Sequence, residues 1–362
     1  MRENPKFLKE QIITYLGNKR SLLDFVGKGF EIAKSELKKD KVSFCDLFSG
    51  SGIVSRYAKA HSNFILANDL ELYSKVINKC YLSNDSEILM AKIDEIWDKI
   101  SDTTNLKSGF IREFYAPKNE KNITKFDRAF YTIKNAKIID TIRQNIDEFC
   151  PANLKPYFLA PLLYEASVHA NTSGVFKGFY KNENGVGEYG GKGKNALKRI
   201  MGEISLQKPV FSKFNSKFEV SQADANDLAS SVDTDICYID PPYNQHPYGS
   251  NYFMLNLIAK YKRPTKISKI SGIEQGWNRS VFNQKKHAKD ALIDIIDKLN
   301  SKFILISYNC EGFIKKDEFL NDLEKFGKVK VLEQKYNAFR ASRNLHSRPT
   351  HVKEQLYIIK KA

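Results

Sequence analysis

Apolar residues along this chain follow two rhythms. Short, largely apolar runs, at 42–48, 64–67, 218–220, 236–239 and 303–309, read as buried strands. Strands of a parallel sheet are covered on both faces and lose the polar alternation of half-exposed ones. Runs at 329–332 and 356–359 predict a closing strand pair. Between 86 and 194 the strands stop, and apolar residues recur at helical spacing over 88–100 (Ile88, Ala91, Ile93, Ile96) and 126–149 (Phe130, Ile133, Ile138, Ile142, Ile146), with a further apolar stretch at 156–168. Three helices without an intervening strand are expected there. The pattern predicts an α/β sheet domain made of residues 1–85 and 195–362, interrupted by a helical insertion at 86–194.

The strand ends carry the chemistry. The run ending at Phe48 breaks into Ser49-Gly50-Ser51-Gly52 and resumes as a helix from Ile53, the strand, glycine turn and helix of nucleotide-cradling folds. The next strand ends in Asn68-Asp69, where an acid usually holds a ribose diol, and a later one ends at Asp224. Near the N-terminus, Gly17-Asn18 predicts a tight turn, with Ser21 placed to cap the helix that follows and Lys19 projecting beside it. Most telling is Asp240-Pro241-Pro242-Tyr243 after the run Ile236, Cys237, Tyr238, Ile239. Neither proline can continue a strand, so the chain leaves the sheet as a stiff turn bearing a carboxylate, carbonyls and a ring. Asp240 and the Pro241 carbonyl can accept two N–H bonds of an exocyclic amine while Tyr243 stacks on its base. In isolation the same tetrapeptide would serve equally as a polar surface loop.

Charge narrows the partner. With 58 Lys and Arg against 42 Asp and Glu, the net charge is +16 in 362 residues, which points to a polyanion, nucleic acid before membrane. Interleaved Gly, Lys and aromatic residues at 173–194 suit a flexible hairpin on a phosphate backbone. The stretch 260–286 reads as a mobile flap and 338–348 as a basic loop. No signal-type region or run of about 18 apolar residues is present, so a cytoplasmic protein is expected. Five scattered cysteines form no Cys-x-x-Cys pair; Cys45, Cys237 and Cys310 read as core residues. His346 and His351 lie in a basic segment where metal binding is not expected.

In order, residues 15–23, 46–52, 68–69, 240–252 and 307–312 resemble the motifs of the Dam-like adenine-N6 DNA methyltransferases (D12 class, alpha-group), which depend on S-adenosylmethionine. The resemblance implies a Rossmann-like class I methyltransferase sheet, mostly parallel with an antiparallel last strand, and a target-recognition insertion. It implies that Tyr15 and Lys19 contact the cofactor, that Phe48, Gly50 and Gly52 shape its pocket, and that Asp69 takes the ribose hydroxyls. Asp224 would lie near the cofactor adenine, and Asp240 between cofactor and target base, with Pro241, Pro242 and Tyr243 completing the catalytic turn. Double-stranded DNA is the implied substrate, with no metal, and a cognate restriction endonuclease, not necessarily in complex, would complete a restriction-modification system. A cytosine-N4 enzyme and an inactive DNA-binding relative are the alternatives that stay open.

Overall fold

A computed structural model describes residues 2–337 and 351–362. Seven strands form one sheet in the order β3-β2-β1-β4-β5-β7-β6. They are β1 (Val42–Asp46), β2 (Ser62–Asn68), β3 (Lys217–Ser221), β4 (Asp233–Ile239), β5 (Asn300–Asn309), β6 (Gly327–Asn337) and β7 (His351–Lys361). The first five are parallel, and β7 inserts antiparallel between β5 and β6. All seven predicted strands are therefore present, and the last of them, β7, is antiparallel as expected.

Both faces of the central strands are covered, which is why their sequences are apolar without alternation. Phe44, Ile236, Tyr238 and Leu305 pack beneath the helix Leu23–Leu37 on one face. Cys45, Cys237, Ile239 and Ile304 meet the helix Ala288–Lys298 on the other. The predicted insertion contains the helices Glu87–Ser101, Phe110–Tyr115, Ile133–Phe149 and Lys155–Val168. Their core (Ile93, Ile139, Leu162 among others) is continuous with Tyr73 and Ile77 of Leu72–Tyr81 and with Leu257 and Ile258 of Phe253–Lys260. No helix among the described residues is long and apolar enough to cross a membrane.

Several local expectations are corrected. Ser21 does not cap the first long helix: Asn18 accepts from the Arg20 amide at 2.8 Å and starts a 3-10 turn, Lys19–Leu22, that runs into it. The second insertion helix begins only at Ile133, with Thr132 accepting from the Asn135 amide; Phe126 stands in the preceding loop, 94% exposed. Ile88 faces solvent, and the stripe of its helix is carried by Ile93 and Ile100. Cys310 is exposed. The stretch 260–286 is tied down: Tyr115 donates to the Gly272 carbonyl, Arg128 to those of Ser268 and Lys269, and Phe282 is buried. The basic loop 338–348, His346 included, lies outside the described residues.

Candidate active site

Strand order reverses between β1 and β4, so the chain segments that leave them diverge and a crevice opens at their carboxyl ends. Register aligns the edge: Asp46, the last residue of β1, pairs with Tyr238, two residues before Asp240. A cleft of about 860 Å³ opens there, and Tyr15, Lys19, Phe48, Gly50, Asp69, Asp224, Asp240 and Pro242 all line it. The structure thus brings together eight of the eleven residues singled out from the sequence. Gly52, Pro241 and Tyr243 are not among its lining residues.

The glycine loop is built around close approach. Gly50 has φ of +50°, and a Cβ there would sit 2.8 Å from Tyr15 Cε1, so only glycine lets the loop meet that ring. Gly52 (φ +75°) has the same relation to Asn78, whose amide group donates to Ser49 Oγ and holds the loop from below. Asp69 accepts the Gly50 amide at 2.7 Å and the Glu71 amide at 2.9 Å, joining the loop to the end of β2. Tyr15 is stacked against Tyr252 and Tyr248, with ring centroids 4.7 and 5.0 Å away. Tyr252 accepts from the Leu16 amide and donates to the Gly174 carbonyl, which ties this wall to the base of the 173–194 hairpin.

At the tip of β4, Lys19 Nζ lies 2.9 Å from Asp240 Oδ1 and 3.0 Å from Glu354 Oε1; Lys19 and Glu354 are all but sealed from solvent, while Asp240 keeps some exposure to the cleft. Glu354 also accepts from Ser307 Oγ at 2.5 Å and from the Tyr336 hydroxyl at 3.3 Å. Burial alone would lower the Lys19 ammonium, but Asp240 and Glu354 outweigh it and hold its pKa well above the usual value. Tyr243, half-buried, leans edge-on to Tyr308 at 6.1 Å. On the far side, Phe48 meets Phe282 edge to face at 5.1 Å, and Asp224 accepts the Asn226 amide at 2.9 Å.

The electrostatics of the cleft run against those of the whole chain. Burial pushes Asp46 up to about 7, with Ser55 opposing and Asp240 and Asp69 adding to the rise. Asp240 is raised to about 6 by burial, against the pull of Lys19. Asp69 and Glu71 are raised by burial to about 6 and about 7, against the hydrogen bonds they accept. Asp46 Oδ1 is buried with no hydrogen-bond partner. Four acids around one cleft, one with an orphaned oxygen, are a demand for a cation, since a nearby positive charge favours the ionised form of each.

Sequence reasoning missed Asp46, Glu71, Tyr248, Phe282 and Glu354 at this site. Asp46 stood in the quoted glycine motif without a role, and its place at the end of a strand was the available signal. Glu354 shares its face of β7 with the buried Val352 and Leu356, where a fully buried acid has to find a cation.

The family model described as D12 class N6 adenine-specific DNA methyltransferase matches residues 15–320. The chain is 31% identical to the type II methyltransferase M.NlaIII of Neisseria lactamica, covering 96% of this chain and 99% of that protein. It is 29% identical to the type II methyltransferase M.CviAII of Paramecium bursaria Chlorella virus 1, over 91% and 93% of the two chains. The type II methyltransferase M.FokI of Planomicrobium okeanokoites is 28% identical over 96% of this chain but only 52% of its own length.

Proposed function

The chain belongs to the D12 class N6 adenine-specific DNA methyltransferases, and from that premise we propose that it methylates N6 of adenine at a specific double-stranded DNA site, as the modification enzyme of a restriction-modification system. S-adenosylmethionine is the methyl donor that the family implies. The observation that carries the reading is the convergence of Asp240, at the tip of β4, with the acid-lined cleft of β1 and β2.

The residues fit that donor, whose sulfonium and ammonium groups answer the raised acids and whose sulfonium supplies an electrophilic methyl when bound. Asp46 Oδ1 and Asp240 would face the positive centres. Asp69 would hold the ribose hydroxyls, with Gly50 and Gly52 keeping the loop clear of side chains. Phe48, Phe282 and Asp224 would enclose the adenine of the cofactor, and Tyr15 would wall the pocket.

The target adenine has to leave the duplex, at a cost of a few kcal/mol. It would enter beside Tyr243, donating its N6 hydrogens to Asp240 and to the Pro241 carbonyl. Those acceptors hold the nitrogen lone pair out of ring conjugation and stabilise the positive charge that develops on attack. Holding two reactants in attack geometry supplies much of the remaining acceleration. Lys19 fixes the carboxylate by one oxygen and leaves the other for the amine.

Residues 86–194 are assigned to target recognition, and 1–85 with 195–362 to catalysis. The hairpin within 173–194 closes with Asn182 donating to the Val186 carbonyl, and it is anchored by the buried Phe176. Beside it, loops joined by Arg128 present Phe126 and Ile270 to solvent next to Lys125 and Lys269. Cations with apolar tips suit a phosphate backbone and its base edges.

The test is to express the protein in a methylation-deficient host and map modified bases. Recurrent N6-methyladenine in one short motif is expected, and Asp240→Ala should abolish it with the fold intact. Methyl groups confined to cytosine N4, RNA or protein would overturn the proposal, as would near-normal methylation by the variant.

A further inference from the structure

Glu354 stands outside the cleft, yet it is bound to the residue that holds the catalytic carboxylate. It is fully buried on β7, paired across the sheet with Asn309 of β5 and Gln334 of β6. Its Oε1 meets Lys19 Nζ at 3.0 Å and accepts from Ser307 Oγ at 2.5 Å; its Oε2 accepts from the Tyr336 hydroxyl at 3.3 Å and Asn309 Nδ2 at 3.5 Å. Every polar neighbour is a donor, as an anion requires. Lys19 has three donors, and the Asp240 and Glu354 carboxylates lie 2.9 and 3.0 Å from its Nζ. One cation therefore serves two anions, and its field on Asp240 is divided.

We propose that Glu354 is a positioning residue for methyl transfer: by sharing Lys19 with Asp240, it keeps Asp240 a strong acceptor for the target amine while Lys19 still fixes its orientation. This rests on the reading of Asp240 as the amine acceptor. With Glu354 neutral, the whole ammonium charge would fall on Asp240, which would be held tightly but would accept poorly. Asp240 Oδ1 is taken by Lys19, and no hydrogen bond engages Oδ2 among the described residues. The acceptor strength of Oδ2 is thus what the Lys19 and Glu354 pair adjusts.

A pH profile reads this directly. Asp240 is faced by Lys19 and Glu354, by Tyr238 of its own strand, by Asp46 of β1, and by Tyr243 and Tyr248 beyond the turn. Burial raises Asp240, Lys19 lowers it, and Glu354 raises it again. Loss of the Glu354 charge removes an upward push, so the acid limb belonging to Asp240 moves to lower pH. Glu354 is not among the groups acting on Asp46, so a limb from Asp46 stays in place. The tyrosines are all raised and do not titrate in this range.

The experiment is single-turnover transfer from labelled S-adenosylmethionine to unmethylated genomic DNA, at pH 5 to 9, for the full chain and Glu354→Gln. The expected result is an acid limb displaced downward and a plateau rate lowered by about three- to tenfold, the effect of up to about one unit of lost basicity. Binding of cofactor and DNA should stay within about twofold. Glu354→Asp, which restores the charge, should return the limb. An unmoved limb with a normal rate, or a loss seen only in binding, would overturn the proposal. Should Glu354→Gln not fold, Glu354→Met removes the same charge with a side chain of similar length, and an unmoved acid limb with a normal single-turnover rate there would overturn it equally. Asp240→Asn is the control: if it still transfers, the reading of Asp240 fails; if it is dead while Glu354→Gln behaves as wild type, only the role of Glu354 falls.

Discussion

Asp46→Asn separates the electrostatics of the cleft from its shape. Asp46 is 1% exposed, Ser55 donates to its Oδ2 at 2.6 Å, and its Oδ1 has no partner. Its folded pKa, pushed up to about 7, lies above the unfolded value of about 3.9. Stability from such a group is full below the unfolded value and is lost as pH rises through the folded one. A rise of about three units corresponds to about 4 kcal/mol lost by pH 8, of which about 2 kcal/mol disappears between pH 5.5 and 8. Asparagine keeps an acceptor for Ser55 and cannot ionise. In urea unfolding without cofactor, the wild type should lose about 2 kcal/mol more than the variant between those pH values. Added S-adenosylmethionine should stabilise the wild type increasingly toward pH 8 and the variant much less, because the bound cation then meets an ionised carboxylate in one case only. Equal pH dependence in the two proteins, or equal stabilisation by the cofactor, would refute the assignment of Asp46 as a buried, cation-seeking acid.

Gly50→Ala forces a left-handed φ on an L-residue and drives a Cβ against Tyr15, so cofactor affinity measured by calorimetry should fall at least about tenfold, the equivalent of roughly 1.4 kcal/mol; unchanged affinity would argue against the loop as the cofactor cradle. Arg56, buried over the Tyr81 ring at 3.7 Å, donates to the carbonyls of Phe7, Glu10 and Gln11. Arg56→Ala should cost about 3 kcal/mol in urea unfolding, and a loss under about 1 kcal/mol would show that the N-terminal segment is secured by other contacts. The double variant Lys177→Ala, Lys181→Ala should reduce the slope of log affinity for DNA against log salt by about one to two and weaken binding to all sequences alike. An unaltered slope would place the hairpin away from the phosphates.

Much of this enzyme is local, and what is local was legible in the chain. Strand runs without alternation imply a sheet covered on both faces. A glycine turn between strand and helix implies a ligand loop, and two prolines after Asp240 imply a stiff exit from the sheet. Each depends on neighbours in sequence, as does the net charge of +16. Boundaries were less legible where competing local bonds decide them: Asn18 rather than Ser21 caps the first turn, and Thr132 starts a helix that periodicity alone extends back to Phe126. The ionisation of the site could not be read at all. Asp46, Asp69, Glu71 and Asp240 look like ordinary carboxylates until the strand ends place them around one cleft and burial raises them together. Glu354 and Lys19 come from opposite ends of the chain, and only insertion of β7 beside β5 makes them a pair. Fold class and reaction type were written in short-range pattern. The charge on Asp240 was decided by tertiary structure, because desolvation and Coulomb interaction depend on which groups share a volume, whatever their separation along the chain.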